Sequence, residues 1–118
     1  MQVKDYKDLI VWQQGIEIAQ KIYSQTKLFP SHELYSLTTQ MRRAAVSISS
    51  NIAEGFMRRN SAEYRHFLHI SLGSCAELDA QLILAEKMNY LNNFVTQKLL
   101  DIIQEEMRMI RGLILKLG

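Results

Sequence analysis

Apolar residues recur every three or four positions through most of the chain, and this periodicity restricts the fold more than any other feature. Such spacing brings side chains onto one face of an α-helix, whereas the strict alternation that strands need is absent from the sequence. The single proline, Pro30, and turn-forming clusters near Asn60 and Asn89 divide the chain into four periodic segments. The pattern therefore predicts an all-α protein. Its four predicted helices cover about residues 7–26, 34–59, 61–88 and 96–117.

Helices of this length, joined by short loops, predict an antiparallel up-and-down four-helix bundle, because short loops make consecutive helices neighbours of opposite direction. A chain of 118 residues is the size of one domain with one core. Hydrophobic residues make up 47% and charged residues 22%, which is typical of a globular protein rather than a disordered one. We therefore expect a single domain over residues 1–118.

Three of the predicted helices carry more apolar surface than one bundle core can bury. The first has two adjacent apolar stripes, and the fourth has a second apolar row beside its core row. The third places Ile70, Gly73, Ala80 and Leu84 on the side opposite its core face. Because large exposed apolar surfaces mark association sites, we predict that copies of the chain assemble into a homo-oligomer.

The only cysteine, Cys75, lies on an apolar helical stripe with Leu72 and Leu78. This position favours a buried structural thiol over a reactive one. No stretch approaches the roughly 18 uninterrupted apolar residues that cross a bilayer, and residues 1–7 lack the apolar core of a signal peptide. We therefore expect a cytoplasmic protein that does not contact membranes.

Residues that could support catalysis or metal binding are few. Glu63 and His66 have the Glu-x-x-His spacing of di-iron bundles, but the sequence holds no second such pair. His66 and His69 are one helical turn apart, and two histidines without further ligands make a weak metal site. The sequence also lacks a glycine-rich phosphate-binding motif and any Ser-His-acid pattern. We expect no catalytic residue and no cofactor, and a metal-binding bundle is the weakest alternative.

Positive charge is concentrated in one segment, although the formal net charge of the whole chain is only +2. Arginine binds phosphate oxygens through paired hydrogen bonds, and the start of a helix adds free N–H groups. The candidate nucleic-acid-binding residues are Arg42, Arg43, Arg58, Arg59 and Arg65. In a ring of copies their positive charge would repeat and produce a strong field. The alternative is that these arginines pair within the chain, Arg43 with Ser47 or Glu54 for example, or bridge subunits.

Hydrogen-bonding residues line the side of the predicted second helix opposite its core face. At about 100° per residue they fall within roughly 100° of one another. This polar stripe consists of Gln40, Arg43, Ser47, Ser50, Asn51, Glu54 and Arg58. It is a candidate surface for nucleic acid or for another protein, such as a nucleic-acid enzyme encoded nearby.

The same region holds a long distinctive block, LTTQMRRAAVSISSNIAEG from Leu37 to Gly55, preceded by Asp8 to Trp12 and followed by Arg58 and Arg59. These segments resemble the four-helix bundle family encoded within intervening sequences of bacterial 23S rRNA genes. The resemblance implies a ring-shaped homopentamer with no established enzymatic activity. That family is also similar in architecture to the accessory protein of diversity-generating retroelements, a basic pentameric bundle that engages nucleic acid and a reverse transcriptase.

The chain departs from the family pattern at Ser49, where the family usually has proline. Proline inside a helix removes a backbone hydrogen bond and bends the axis. Any bend near residues 47–51 must here come from serine side chains that bond back to helix carbonyls, which is a weaker cause.

Overall fold

The computed structural model describes residues 3–118, so residues 1 and 2 of the predicted domain lie outside the described part. Over residues 3–118 the chain forms four α-helices and no strand, which confirms the predicted all-α fold. The helices are α1 (Ile10–Thr26), α2 (Thr39–Phe56), α3 (Ser61–Lys87) and α4 (Asn93–Leu117). Each helix packs against the next, and α1 packs against α4, within a body of 44 × 25 × 19 Å.

The core lies along the bundle axis between the four helices, at positions that follow the predicted period. Its large fully buried apolar side chains are Ile18, Ile22, Met41, Ile48, Ile52, Leu68, Leu78, Leu82, Ile103 and Ile110. In α1 the stripe from Val11 to Ile22 is buried, whereas Trp12 and Ala19 on the neighbouring stripe are only partly buried. Cys75 is fully buried, as predicted.

The fourth helix starts at Asn93, three residues before the predicted start at 96. Its N-cap is Asn92, which is extended and whose side chain accepts a hydrogen bond from the N–H of Val95 at 2.8 Å. Thr96 is buried in the first turn, where its hydroxyl donates to the carbonyl of Asn92 at 2.8 Å. Both residue types favour caps, and the sequence does not reveal which one adopts the extended backbone.

The first two helices begin later than predicted. A short 3₁₀ turn at Tyr6–Asp8 precedes α1, and Leu9 is extended, so the α-helix starts at Ile10. Before α2, Ser36 leaves helical geometry with φ −129° and ψ −107°, which delays the regular helix to Thr39. Apolar periodicity continues through these irregular turns and therefore overestimates helix length.

At the junction between α2 and α3, α3 begins at the predicted residue, Ser61, whereas α2 ends at Phe56 rather than at the predicted residue 59. Asn60 caps α3 by accepting a hydrogen bond from the N–H of Glu63 at 2.9 Å, and its amide donates to the Glu63 carboxylate at 3.1 Å. Before this turn, α2 and α3 approach so closely that a Cβ on Gly55 would lie 2.8 Å from the Cβ of Phe67. The glycine is thus required by close packing of the two helices.

Several apolar side chains remain exposed on the bundle. On α3, Ile70 and Leu84 are exposed, and a Cβ on Gly73 would meet nothing within 4 Å. At the end of the bundle that carries the α1–α2 and α3–α4 loops, Leu28, Tyr35 and Phe94 are 79%, 92% and 66% exposed. None of the helices in residues 3–118 is sufficiently long and apolar to cross a membrane.

Candidate nucleic-acid interface

The outer side of α2 carries the polar stripe. Met41, Ala45, Ile48 and Ile52 are buried on its inner side and fix the rotation of the helix. The outward residues Gln40, Arg43, Ser50, Glu54 and Arg58 are exposed, and Ser47 and Asn51 are partly buried at the edge of the stripe. The amphipathic period of α2 therefore presents the stripe to solvent as one surface.

Two of the candidate arginines lie in the first turns of α2 and differ in their surroundings. Arg42 folds toward α1, where its Nε donates to Thr26 Oγ1 at 2.9 Å. Its guanidinium carbon lies 4.7 Å from the centre of the Tyr23 ring, which is a cation–π contact. Arg43 is exposed and has no hydrogen-bond or ion-pair partner among residues 3–118.

The other three arginines lie around the α2–α3 junction. Arg58 pairs with Glu54 at 3.0 Å and lies 4.6 Å from the ring centre of Phe67. Arg65 donates from Nη1 to the carbonyl of Leu117 at 2.8 Å and so links α3 to the last turn of α4. Arg59 is exposed, and no partner for it occurs within the described part of the chain.

The structure does not bring the five arginines into one cluster. Arg43 lies in the first turns of α2, whereas Arg58 follows the last residue of the helix, Phe56, by two positions. One pair thus lies near the start of α2, and Arg58, Arg59 and Arg65 lie near its other end. Pairing within the chain holds for Arg42, Arg58 and Arg65, whereas Arg43 bonds neither to Ser47 nor to Glu54.

A hydrogen-bonded chain beside the stripe was not predicted. The Asn51 amide donates from Nδ2 to the carbonyl and the Oγ of Ser47, both at 2.8 Å. Ser74 on α3 donates to the same Ser47 Oγ at 2.7 Å. The stripe is therefore anchored to α3 by Ser74, whose polar type on a buried helix face was the available sequence signal.

On the inner side of α2, Ser49 bonds back to its own helix as expected. Its Oγ donates to the carbonyl of Val46 at 3.3 Å. A Cβ on Gly15 of α1 would lie 3.2 Å from Ser49 Cβ and 3.4 Å from Glu106 Oε2. The small residues at positions 15 and 49 thus make room for a carboxyl group from α4.

Glu106 is the residue that sequence reasoning missed most clearly. It is 0% exposed, and neither carboxyl oxygen has a hydrogen-bond partner among the described residues. Burial, with a smaller effect of nearby Glu105, raises the pKa of Glu106 to about 8. Burial and the carboxyl of Glu106 also raise the pKa of the Cys75 thiol to about 12, which keeps the thiol protonated at neutral pH.

The residues considered for a metal site have other contacts. Glu63 completes the cap of α3 with Asn60, and the ring of His66 packs edge-on against Phe67 at 5.5 Å. Across residues 3–118, no three His, Cys, Asp or Glu side chains come together as ligands.

Comparisons with known proteins agree with this architecture. The crystal structure of a protein of unknown function from the S23 ribosomal protein family of Bacteroides thetaiotaomicron superposes with a TM-score of 0.82. The two chains are 22% identical, and the match covers 89% of this chain and 98% of the other, so the likeness shows the fold. No curated protein sequence matches the chain. The sequence model of one family matches residues 7–112, and the chain therefore belongs to the 23S rRNA-intervening sequence protein family.

Proposed function

We propose that the protein is a non-enzymatic homo-oligomer that associates with RNA or DNA by binding phosphates, without reading base sequence. The observation that carries the proposal is the state of Arg43 and Arg59, which are exposed and have no partner among residues 3–118. An unpaired guanidinium offers five N–H donors in a planar fork that fits phosphate oxygens. Arg43 lies in the first turns of α2 and Arg59 in the turn after its last residue, so the two lie near opposite ends of the helix.

The other three arginines support the same surface with restricted geometry. Arg42, Arg58 and Arg65 each use one guanidinium nitrogen in a hydrogen bond within the chain. The remaining N–H groups of each fork are held in fixed directions, which lowers the entropy lost when a phosphate binds. These residues therefore add oriented N–H donors to the phosphate contacts that Arg43 and Arg59 make.

Assembly increases the effect of a modest charge. The exposed Ile70 and Leu84 on α3 support association between copies, and resemblance to the family implies a ring of five. Each copy has a formal net charge of +2. A ring of copies would repeat the arginine segment around its circumference. Summed fields of this kind attract polyanions more strongly than one chain does.

The proposal is tested by measuring RNA affinity against salt for the wild type and for the double variant Arg43→Ala/Arg59→Ala. The slope of log affinity against log salt should become shallower by about one for each arginine removed from contact. The matched control is Lys21→Ala/Arg108→Ala, which removes the same charge from exposed positions outside α2. Binding that is independent of salt, or equal in the two double variants, would contradict the proposal.

A second candidate is a scaffold that holds a nucleic-acid enzyme. The exposed apolar group Leu28, Tyr35 and Phe94 at one end of the bundle favours it, because such groups are typical of protein interfaces. Both loops are fixed there, since the Tyr90 hydroxyl donates to Glu33 Oε2 at 2.8 Å. One defined protein that co-purifies after nuclease treatment, and is lost in Tyr35→Ser, would support the scaffold over direct nucleic-acid binding.

A further inference from the structure

A groove of about 580 Å³ lies between α1 and α2, along α2 from Thr39 to Asn51. We refer to it as the Arg42 groove. Its lining consists of Tyr23, Thr39, Arg42, Arg43, Val46, Ser47, Ser50 and Asn51. No carboxylate is among these residues, so the two arginines leave the groove positively charged. The groove therefore suits a ligand that is anionic at the arginine end.

The arginine end of the groove is held in one orientation. Thr26 Oγ1 donates its own proton to the carbonyl of Ile22 at 2.7 Å, so it acts as an acceptor toward Arg42 Nε. The guanidinium of Arg42 also lies against the Tyr23 ring. With both contacts in place, the Nη donors of Arg42 are fixed before any ligand arrives, and exposed Arg43 lies beside them.

The opposite end of the groove presents an acceptor. A carbonyl oxygen can only accept a hydrogen bond, so the Asn51 atom facing the Ser47 carbonyl must be the amide Nδ2. Because Nδ2 is engaged with Ser47, the Oδ1 of Asn51 is left as the free acceptor. Between the two ends, Tyr23 and Val46 are 42% and 41% exposed and form an apolar wall.

We propose that the Arg42 groove holds one unpaired nucleotide of a single-stranded RNA or DNA. This inference rests on the proposed function and adds a strand preference to it. The phosphate lies at Arg42 and Arg43, the base lies against Tyr23 and Val46, and an N–H on its Watson–Crick edge donates to Asn51 Oδ1. Every base offers such an N–H when unpaired, whereas in a duplex that edge is already bonded. Binding is therefore tolerant of sequence and selective for single strands.

Three probes with equal numbers of phosphates test the inference: a single-stranded oligonucleotide, the same strand with abasic sites, and a duplex. The wild type should bind the strand with bases more tightly than the abasic strand by at least about fivefold, because the abasic strand lacks one hydrogen bond and also the contacts of the base with Tyr23 and Val46. The duplex should resemble the abasic strand, because both offer phosphates without free base edges.

The variant Asn51→Leu removes the acceptor and keeps every arginine. It should reduce the preference for bases by about fivefold, the loss expected for one hydrogen bond, while its affinity for the abasic strand stays unchanged. Gln40→Leu is the matched control, since Gln40 is exposed on the same stripe but does not line the groove. Ser50→Glu is a second variant at an exposed position, where the added carboxylate should weaken binding of all single strands.

The outcomes separate this inference from the proposed function. Salt-sensitive binding that is equal for all three probes overturns the nucleotide groove and leaves phosphate binding intact. Absence of binding to every probe overturns both. A changed subunit number in Asn51→Leu, measured by light scattering, would instead make the groove a contact between copies and would also overturn the inference.

Discussion

The two sides of α2 differ in how many of their residues already have contacts within the protein. On the inner side, Gly55 and Ile48 are buried against α3 and Ser49 against α1, and each contact leaves no space for change. On the outer side Arg43, and in the turn after the helix Arg59, are exposed and have no partner within residues 3–118. The inner side therefore determines stability, and the outer side is available for binding. Substitutions on the two sides should separate these properties.

The largest effect should come from the buried carboxyl group of Glu106, which lies beside Gly15 of α1. The pKa of Glu106 is raised from 4.5 to about 8 in the folded protein, so the unfolded chain loses this proton first. Stability should fall as the pH rises from 4.5 to 8, by up to about 1.4 kcal/mol per pH unit, and by roughly 3–5 kcal/mol in total. Below pH 4.5 the group is protonated in both states and the penalty vanishes.

Chemical denaturation of Glu106→Gln across this pH range measures the effect. The uncharged amide should remove the pH-dependent loss of stability. The free energy of unfolding of the variant should therefore increase relative to that of the wild type as the pH rises. Glu105→Gln is the neighbouring control, because Glu105 is exposed. Parallel stability curves for Glu106→Gln and the wild type would show that Glu106 is not buried as described.

The next effect tests how closely α2 and α3 approach. Gly55→Ala places a Cβ 2.8 Å from Phe67 Cβ and 3.0 Å from Tyr64 Cδ1, and should lower the free energy of unfolding by about 1–3 kcal/mol. Gly73→Ala is the matched helical control, since its Cβ meets nothing within 4 Å and should stabilise by about 0.5–1 kcal/mol. Thermal unfolding that shifts the same way in both variants would contradict the close approach.

A smaller effect is expected from the buried hydrogen bond between α3 and the inner side of α2. Ser71 Oγ donates to the carbonyl of Ile48 at 2.8 Å, and Ser71 is fully buried. Ser71→Ala should lower the free energy of unfolding by about 1 kcal/mol, because it removes the bond and leaves the cavity nearly filled. Denaturation by urea gives the value, and no loss would show that the carbonyl is satisfied elsewhere.

The smallest change in stability is expected on the outer side. The Arg58–Glu54 pair is 3.0 Å apart but exposed, with side chains 40% and 53% accessible. Arg58→Ala should therefore change the free energy of unfolding by less than about 0.5 kcal/mol. The same variant should weaken RNA binding, measured at low salt. A large loss of stability without any change in binding would reverse the contrast between the two sides.

The inner side of α2 was predictable because burial follows the helical period from Met41 to Ile52. Glu106 was not, although Ile103 and Ile110 flank it at helical spacing. A glutamate at such a position is normally expected to face solvent. The burial of Glu106 depends on the space left by Gly15 and Ser49 on other helices. Tertiary packing of this kind is not encoded in local periodicity.

On the outer side of α2, the sequence predicted some features and not others. One polar surface was predictable on this side, but the partners of its arginines were not. Arg65 bonds to a carbonyl 52 residues away in sequence, and Arg42 reaches Thr26 on another helix. Long side chains with several rotatable bonds select such partners only after the helices have packed. The sequence therefore predicted the polar stripe but not which of the arginines have partners within the chain.

Association of the oligomer with nucleic acid can be measured by light scattering on a sizing column, with and without mixed RNA at low and moderate salt. We expect an oligomer that carries RNA at low salt and releases it as salt rises, because the contacts are to phosphates. We also expect that Arg43→Ala/Arg59→Ala loses RNA but keeps the subunit number. An oligomer that carries no RNA at low salt, or that retains RNA unchanged at moderate salt, would contradict the proposed function.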